Sequence, residues 1–166
     1  MASTPKVAAV TGAASGIGED LCRDLLARDW IVYGLDSDAG TLEHCTAALN
    51  GGERFVPIVC DVSSAADLAQ AFAAIAARSP ALDALICSAG IFRTGPLLSM
   101  AEADFDMLFA VNTKGAWLTA RAAVPLLARS VSGEQRARIV FVASVAAIRP
   151  KVGGGGARSR PVSRSD

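Results

Sequence analysis

The sequence has 166 residues, 52% of them apolar, with 16 acidic and 16 basic side chains and a formal net charge of zero. That length suits one domain, and the charge balance argues against a nucleic-acid or membrane-surface body. No stretch approaches a transmembrane span, and Thr11 and the glycines after it interrupt the first apolar run before signal length, so a cytoplasmic protein is expected.

Residues 7–10, all Val and Ala, are short and apolar enough for a buried parallel strand. The turn Thr11-Gly-Ala-Ala-Ser-Gly-Ile-Gly18 follows, and then a helix with Ile17, Leu21 and Leu25 on one face and Cys22 and Leu26 one step round. Each glycine has an expected task. Gly12 permits the tight turn, Gly16 lets the backbone approach a pyrophosphate, and Gly18 lets helix and strand pack closely. The helix N-terminus offers N–H groups and a positive dipole end to phosphates. A second strand, residues 30–35, ends at Asp36, whose carboxylate can accept hydrogen bonds from ribose hydroxyls. That carboxylate repels the 2′-phosphate of NADP, and Ala13, Ala14, Ser15 and Ser37 supply no compensating cation. The pattern therefore implies NAD.

Strand and helix go on alternating. Residues 55–60 read as a third strand, and Ser63 or Ser64 caps a helix whose stripe is Leu68, Phe72 and Ile75, with Asp67 supporting its first turn. Residues 82–87 read as a fourth strand. Ser99 and Glu102 form a second capping-box signature, opening helical segments that run to about Arg129 with a kink or break near Pro125. Residues 138–143 read as a fifth strand. Successive right-handed βα units make an α/β, Rossmann-like, doubly wound parallel sheet. Cys22, Cys45, Cys60 and Cys87 have no metal-like spacing and read as buried thiols; His44, the sole histidine, reads as a helical surface or half-buried residue.

These motifs, in order across roughly residues 5–150, resemble the short-chain dehydrogenases/reductases. The glycine turn has that family's TGxxxGIG spacing, which implies cofactor contacts at Gly12, Ser15, Gly16, Ile17 and Gly18. Cys60-Asp61-Val62 is similar to its adenine-contacting Asp-Val. Cys87-Ser88-Ala89-Gly90 stands where the family has Asn-Asn-Ala-Gly beside the cofactor ribose, with Ser88 able to replace part of the usual hydrogen bonding. Val111-Asn112-Thr113-Lys114-Gly115 resembles the segment carrying the active-site asparagine, and residues 139–144 the strand delivering the catalytic serine, Ser144. The resemblance implies hydride transfer between NAD and a secondary alcohol or its ketone, in a homo-oligomer, dimer or tetramer.

The same resemblance calls for Tyr-x-x-x-Lys about a dozen residues beyond Ser144: a phenol to move the proton, and an ammonium to lower its pKa from about 10. Here the only tyrosine is Tyr33, and after Lys114 the only lysine is Lys151. From residue 151 the composition turns to Gly, Arg, Ser and Pro, the signature of a disordered tail over 151–166. A reading-frame change near Gly153 is one origin. The other is in-frame divergence, with Arg160 and Arg164 at the Tyr and Lys spacing; guanidinium stays charged and donates no proton at neutral pH. The expected domain, residues 1–150, is then incomplete on its C-terminal side. The fifth strand becomes an open edge, and a face including Trp117, Leu118 and Leu126 is left uncovered. Three readings follow: an NAD-dependent oxidoreductase by lineage with this chain inactive, a non-catalytic nucleotide-binding protein, or a non-functional fragment.

Overall fold

The computed structural model describes residues 4–93, 96–131 and 136–144, so the expected tail lies outside the described residues. Strand and helix alternate as β1 (Val7–Thr11), α1 (Gly16–Ala27), β2 (Ile31–Asp36), α2 (Ala39–Leu49), β3 (Phe55–Val59), α3 (Ala65–Arg78) and β4 (Ala84–Cys87). Then come α4 (Glu102–Phe109), a wide π-helical turn over Ala110–Gly115, α5 (Ala116–Ser130) and β5 (Arg138–Phe141). The strands pair in parallel in the order β3-β2-β1-β4-β5, the doubly wound sheet expected.

Both faces of the central strands are covered, which explains why these strands carry no polar alternation. On one face Ala8, Val10, Val32 and Ile86 pack with Cys22 and Leu26 of α1 and Leu42 and Cys45 of α2. On the other, Ala9, Tyr33, Leu35 and Leu85 meet Leu68, Phe72 and Ile75 of α3 and Leu118, Leu126 and Leu127 of α5. Successive strand residues point to opposite faces, so neighbours in sequence serve different cores.

Ser64 caps α3, with its Oγ accepting from Asp67 N–H (3.2 Å) and donating to Asp67 Oδ1 (2.7 Å). Asp38 caps α2 through Thr41 N–H (2.8 Å). Asp83 ties the far edge together: its carboxylate accepts from Val7 N–H (2.8 Å) and from the Ser130 hydroxyl at the end of α5.

Four local expectations change. The buried line of α1 is Gly18, Cys22 and Leu26, with Leu21 and Leu25 on its flank and Ile17 59% exposed, because the close contact at Gly18 sets the helix rotation. Ser99 does not cap α4. It sits in a 3₁₀ turn (Leu97–Ser99), donating through N–H and Oγ to Pro96 O, and the helix starts from Ala101 without a side-chain cap. The helix runs unbroken through Pro125, which is exposed, so solvent can satisfy the carbonyl left without a donor; the irregular turn lies earlier, at Ala110–Gly115. Finally, Leu118 and Leu126 are buried against α3 and the sheet, and only Trp117 of that trio is exposed, at 56%.

Candidate functional site

After β1 the chain winds outward to β2 and β3, then returns across to β4, so a crevice opens at the C-terminal ends of β1 and β4. A cleft of about 390 Å³ fills that position. Its walls are the glycine turn (Gly12, Ser15, Gly16, Ile17), the end of β2 (Asp36), the segment after β3 (Asp61, Val62) and the segment after β4 (Ser88, Ala89, Gly90). These stretches meet on one surface together with Val111 and Val142, and they include ten of the eleven residues that the sequence leads one to expect at a cofactor, Gly18 being the exception.

The turn is built for close approach. Gly12 has φ +68°, and a Cβ there would stand 2.8 Å from Ala89 Cα, so a side chain would clash with the β4 loop. Gly16, at φ +51°, has nothing within 4 Å of the Cβ position. That open cradle lies at the N-terminus of α1, the end of a helix whose first-turn N–H groups suit an anion. Gly18 lies beneath the turn rather than on the cleft: its Cβ would fall 1.9 Å from Gly12 O, so the contact it permits is helix on turn. The cradle, the helix N-terminus and a nearby carboxylate fit the diphosphate and ribose of a dinucleotide.

Asp36 holds more than the rim. Its Oδ2 accepts from Ala14 N–H in the glycine turn (3.0 Å), its Oδ1 from Asp38 N–H (3.1 Å), and its backbone carbonyl from Cys60 N–H (2.8 Å). Asp61 Oδ1 accepts from both Ser63 N–H and Ser63 Oγ, each at 2.8 Å. Val62 packs against Gly115, where a Cβ would stand 2.9 Å from Val62 Cγ2.

Thr11 is a site residue that sequence reasoning did not assign. Buried at the end of β1, its Oγ1 accepts from Ser88 N–H and Ala89 N–H, both at 3.2 Å. The bond across the switch point is therefore made by the Ser88 backbone. The available signal was a hydroxyl directly before the glycine turn, at the end of an apolar strand, where a buried oxygen needs a partner.

Asn112 and Ser144 do not line the cleft, although their neighbours Val111 and Val142 do. The Asn112 side chain, on the π-helical turn, accepts from Ile91 N–H at Oδ1 (2.8 Å) and donates from Nδ2 to Ile91 O (2.9 Å). It clamps the loop that carries Ala89 and Gly90. Ser144 lies three residues past β5, beyond Val142, whose N–H donates to Cys87 O (3.0 Å). Tyr33 is a core residue, 1% exposed, with its hydroxyl paired to Ser79 Oγ at 2.8 Å. Burial pushes the Cys60 and Cys87 thiols up to about 11, so neither is a thiolate nucleophile at neutral pH. Among the described residues no cluster fit to hold a metal occurs, and no helix is long and apolar enough to cross a membrane.

Known proteins are similar to this chain in sequence and fold. The chain is 33% identical over 143 residues to oxidoreductase UcpA of Salmonella typhimurium, a match covering 86% of this chain and 52% of that protein. Among solved structures, it resembles the 3-ketoacyl-(acyl-carrier-protein) reductase of Brucella melitensis complexed with NADH (TM-score 0.81, 26% identity, 88% of this chain and 60% of that one). It also resembles the RhlG/NADP complex of Pseudomonas aeruginosa (TM-score 0.84, 27% identity, 90% and 59%). The chain spans about half the length of the curated relatives it matches. The short chain dehydrogenase family model matches residues 6–156, and with the sheet order and the glycine turn this establishes that the chain belongs to that family of nicotinamide-dependent oxidoreductases.

Proposed function

We propose that the chain binds NAD(H) in preference to NADP(H) in the β1/β4 cleft, and that its lineage is hydride transfer between that cofactor and a secondary alcohol or ketone. The observation that carries the cofactor choice is Asp36, a carboxylate on the cleft wall with Ser37 beside it and no cation among the described residues lining the cleft. A ribose 2′-hydroxyl donates to that oxygen, whereas a 2′-phosphate meets like charge. The two similar complexes carry NADH in one case and NADP in the other, so the preference rests on this chain's own residue.

Bound dinucleotide supplies the hydride acceptor or donor. The residues here do the remaining work of position. The glycine turn and α1 N-terminus hold the diphosphate, Asp36 the ribose, and Asp61 and Val62 flank the adenine. Thr11 and Asn112 fix the Ser88–Ile91 loop from two sides. Ser144 orients a substrate oxygen. Within these 166 residues no Tyr-x-x-x-Lys moves the proton at that oxygen, and loss of a placed acid or base costs about 10²–10⁴-fold. The polypeptide as given therefore binds without measurable turnover.

Fluorescence titration of the pure protein with NADH and NADPH tests this. NADH is expected to bind at least tenfold more tightly, with no NAD reduction from a panel of secondary alcohols. Equal or reversed preference overturns the cofactor assignment, and robust turnover overturns the assignment of inactivity. Homo-oligomerisation belongs to the same proposal, supported by Phe105, Phe109 and Trp117, exposed along α4 and α5 as an apolar face for a second subunit. A cytoplasmic setting is supported by four buried cysteines, all free thiols.

A further inference from the structure

The three hydrogen bonds accepted by Asp36 reach the glycine turn, the start of α2 outside the cleft, and the segment after β3. Oδ2 takes the N–H of Ala14 inside the glycine turn, Oδ1 takes the N–H of Asp38 before α2, and the main-chain oxygen takes the N–H of Cys60 beside Asp61. Asp38 in turn caps α2 through Thr41 N–H. The Ala14 bond spans 22 positions in sequence and joins the segment that meets phosphate to the strand end that meets ribose. Ala13, next to it, is held from the same side: its N–H donates to Leu35 O (3.1 Å) and its carbonyl accepts from the Cys45 thiol (3.3 Å). Gly12 and Gly16, both at positive φ, leave the turn's backbone with wide conformational choice, which these bonds from β2 and α2 restrict.

From this geometry we propose that Asp36 is a positioning residue for the diphosphate-binding turn as well as a ligand for ribose. The proposal rests on the reading of the cleft as a dinucleotide site. An anion on the wall repels a diphosphate, so a carboxylate acting only on ribose lowers the affinity of any ligand without ribose hydroxyls. A carboxylate that shapes the turn raises it. The two roles predict opposite signs for the same substitution. In Asp36→Asn one carboxylate oxygen becomes an NH₂ group, which cannot accept from Ala14 N–H or Asp38 N–H.

The test is calorimetric titration of wild type and D36N with ADP and with 2′,3′-dideoxy-ADP, well below each protein's melting temperature. D36N is expected to weaken dideoxy-ADP about fivefold, the worth of one ordinary hydrogen bond, and ADP at least tenfold. An unchanged or improved affinity for dideoxy-ADP, with ADP weakened, overturns the positioning role and leaves the proposed function standing. Wild-type binding of ADP with none of dideoxy-ADP also overturns it, since the turn then contributes nothing to be positioned. Absence of wild-type binding to NADH and both ADP ligands overturns the proposed function and this inference together. D38A separates position from stability: it removes the α2 cap and keeps the N–H that Asp36 accepts, so it is expected to lower the melting temperature while leaving dideoxy-ADP affinity unchanged. A fivefold loss there too overturns the assignment of the effect to Asp36.

Discussion

β1 and β5 have nearly the same kind of sequence and opposite surroundings. Four of the five β1 residues are buried, between β2 and β4 and under helices on both faces; all four β5 residues are exposed, Ile139, Val140 and Phe141 among them. Apolar composition sets how much free energy a strand can gain from burial, but neighbours decide how much it does gain. The inner strands β2, β1 and β4 are largely buried, and β3 is an edge on which Phe55 is buried and Val59 is 59% exposed. The β5 side is an edge among the described residues, with apolar side chains in contact with solvent.

The largest effect should separate these two sides directly. Phe72→Ala, in the α3 core, is expected to cost about 4 kcal/mol, whereas Phe141→Ala, 55% exposed on β5, should stay within about 1 kcal/mol. Urea unfolding of the two variants decides the matter; equal losses would mean that β5 is covered in solution. Thr11→Val comes next, at about 2 kcal/mol, because it leaves the Ser88 and Ala89 N–H groups facing a methyl. The same variant should weaken NADH, and retention of both stability and affinity would remove Thr11 from the site. Ser64→Ala is smaller, about 1 kcal/mol from loss of the α3 cap; a melting temperature equal to wild type would contradict the capping geometry.

The smallest effect is one of pH. Hydrogen bonds from Thr41 to Asp38, and from Ser64 to Asp67, hold both carboxyls below their ordinary values. A carboxyl lowered on folding contributes stability that is complete above its unfolded value near 4 and is lost as pH falls through the folded one. The melting temperature should therefore hold steady from neutrality to about pH 5 and decline below it. The D38N/D67N double variant should show a shallower acid decline, and identical profiles would show that these caps carry no charge linkage.

Helix capping separates what is local from what is not. Ser64 and Asp67 form the expected box because the motif is satisfied by its own four residues. Ser99 and Glu102 have the same spacing, yet the Pro96 carbonyl captures Ser99 one turn earlier. A hydroxyl takes the acceptor nearest in space, and spacing does not reveal that competitor. Pro125 is similar: its missing N–H predicts a break, but the exposed position lets water meet the orphan carbonyl.

The sequence by itself determined the strand–helix alternation, the glycine turn, the acid at the end of β2 and the absence of Tyr-x-x-x-Lys, since each follows from periodicity, backbone freedom or residue identity at fixed spacing. Only the tertiary structure decided what meets across the chain. Thr11 reaches the β4 loop, Asn112 clamps Ile91, Asp36 holds the glycine turn, and Leu118 and Leu126 are buried while Trp117 is not. The hydrogen bonds among these join residues 21 to 78 positions apart, and the partners are set by the sheet order and by how each helix rotates onto it. Local pattern does not settle either: periodicity identifies the buried stripe of α3 but misplaces that of α1.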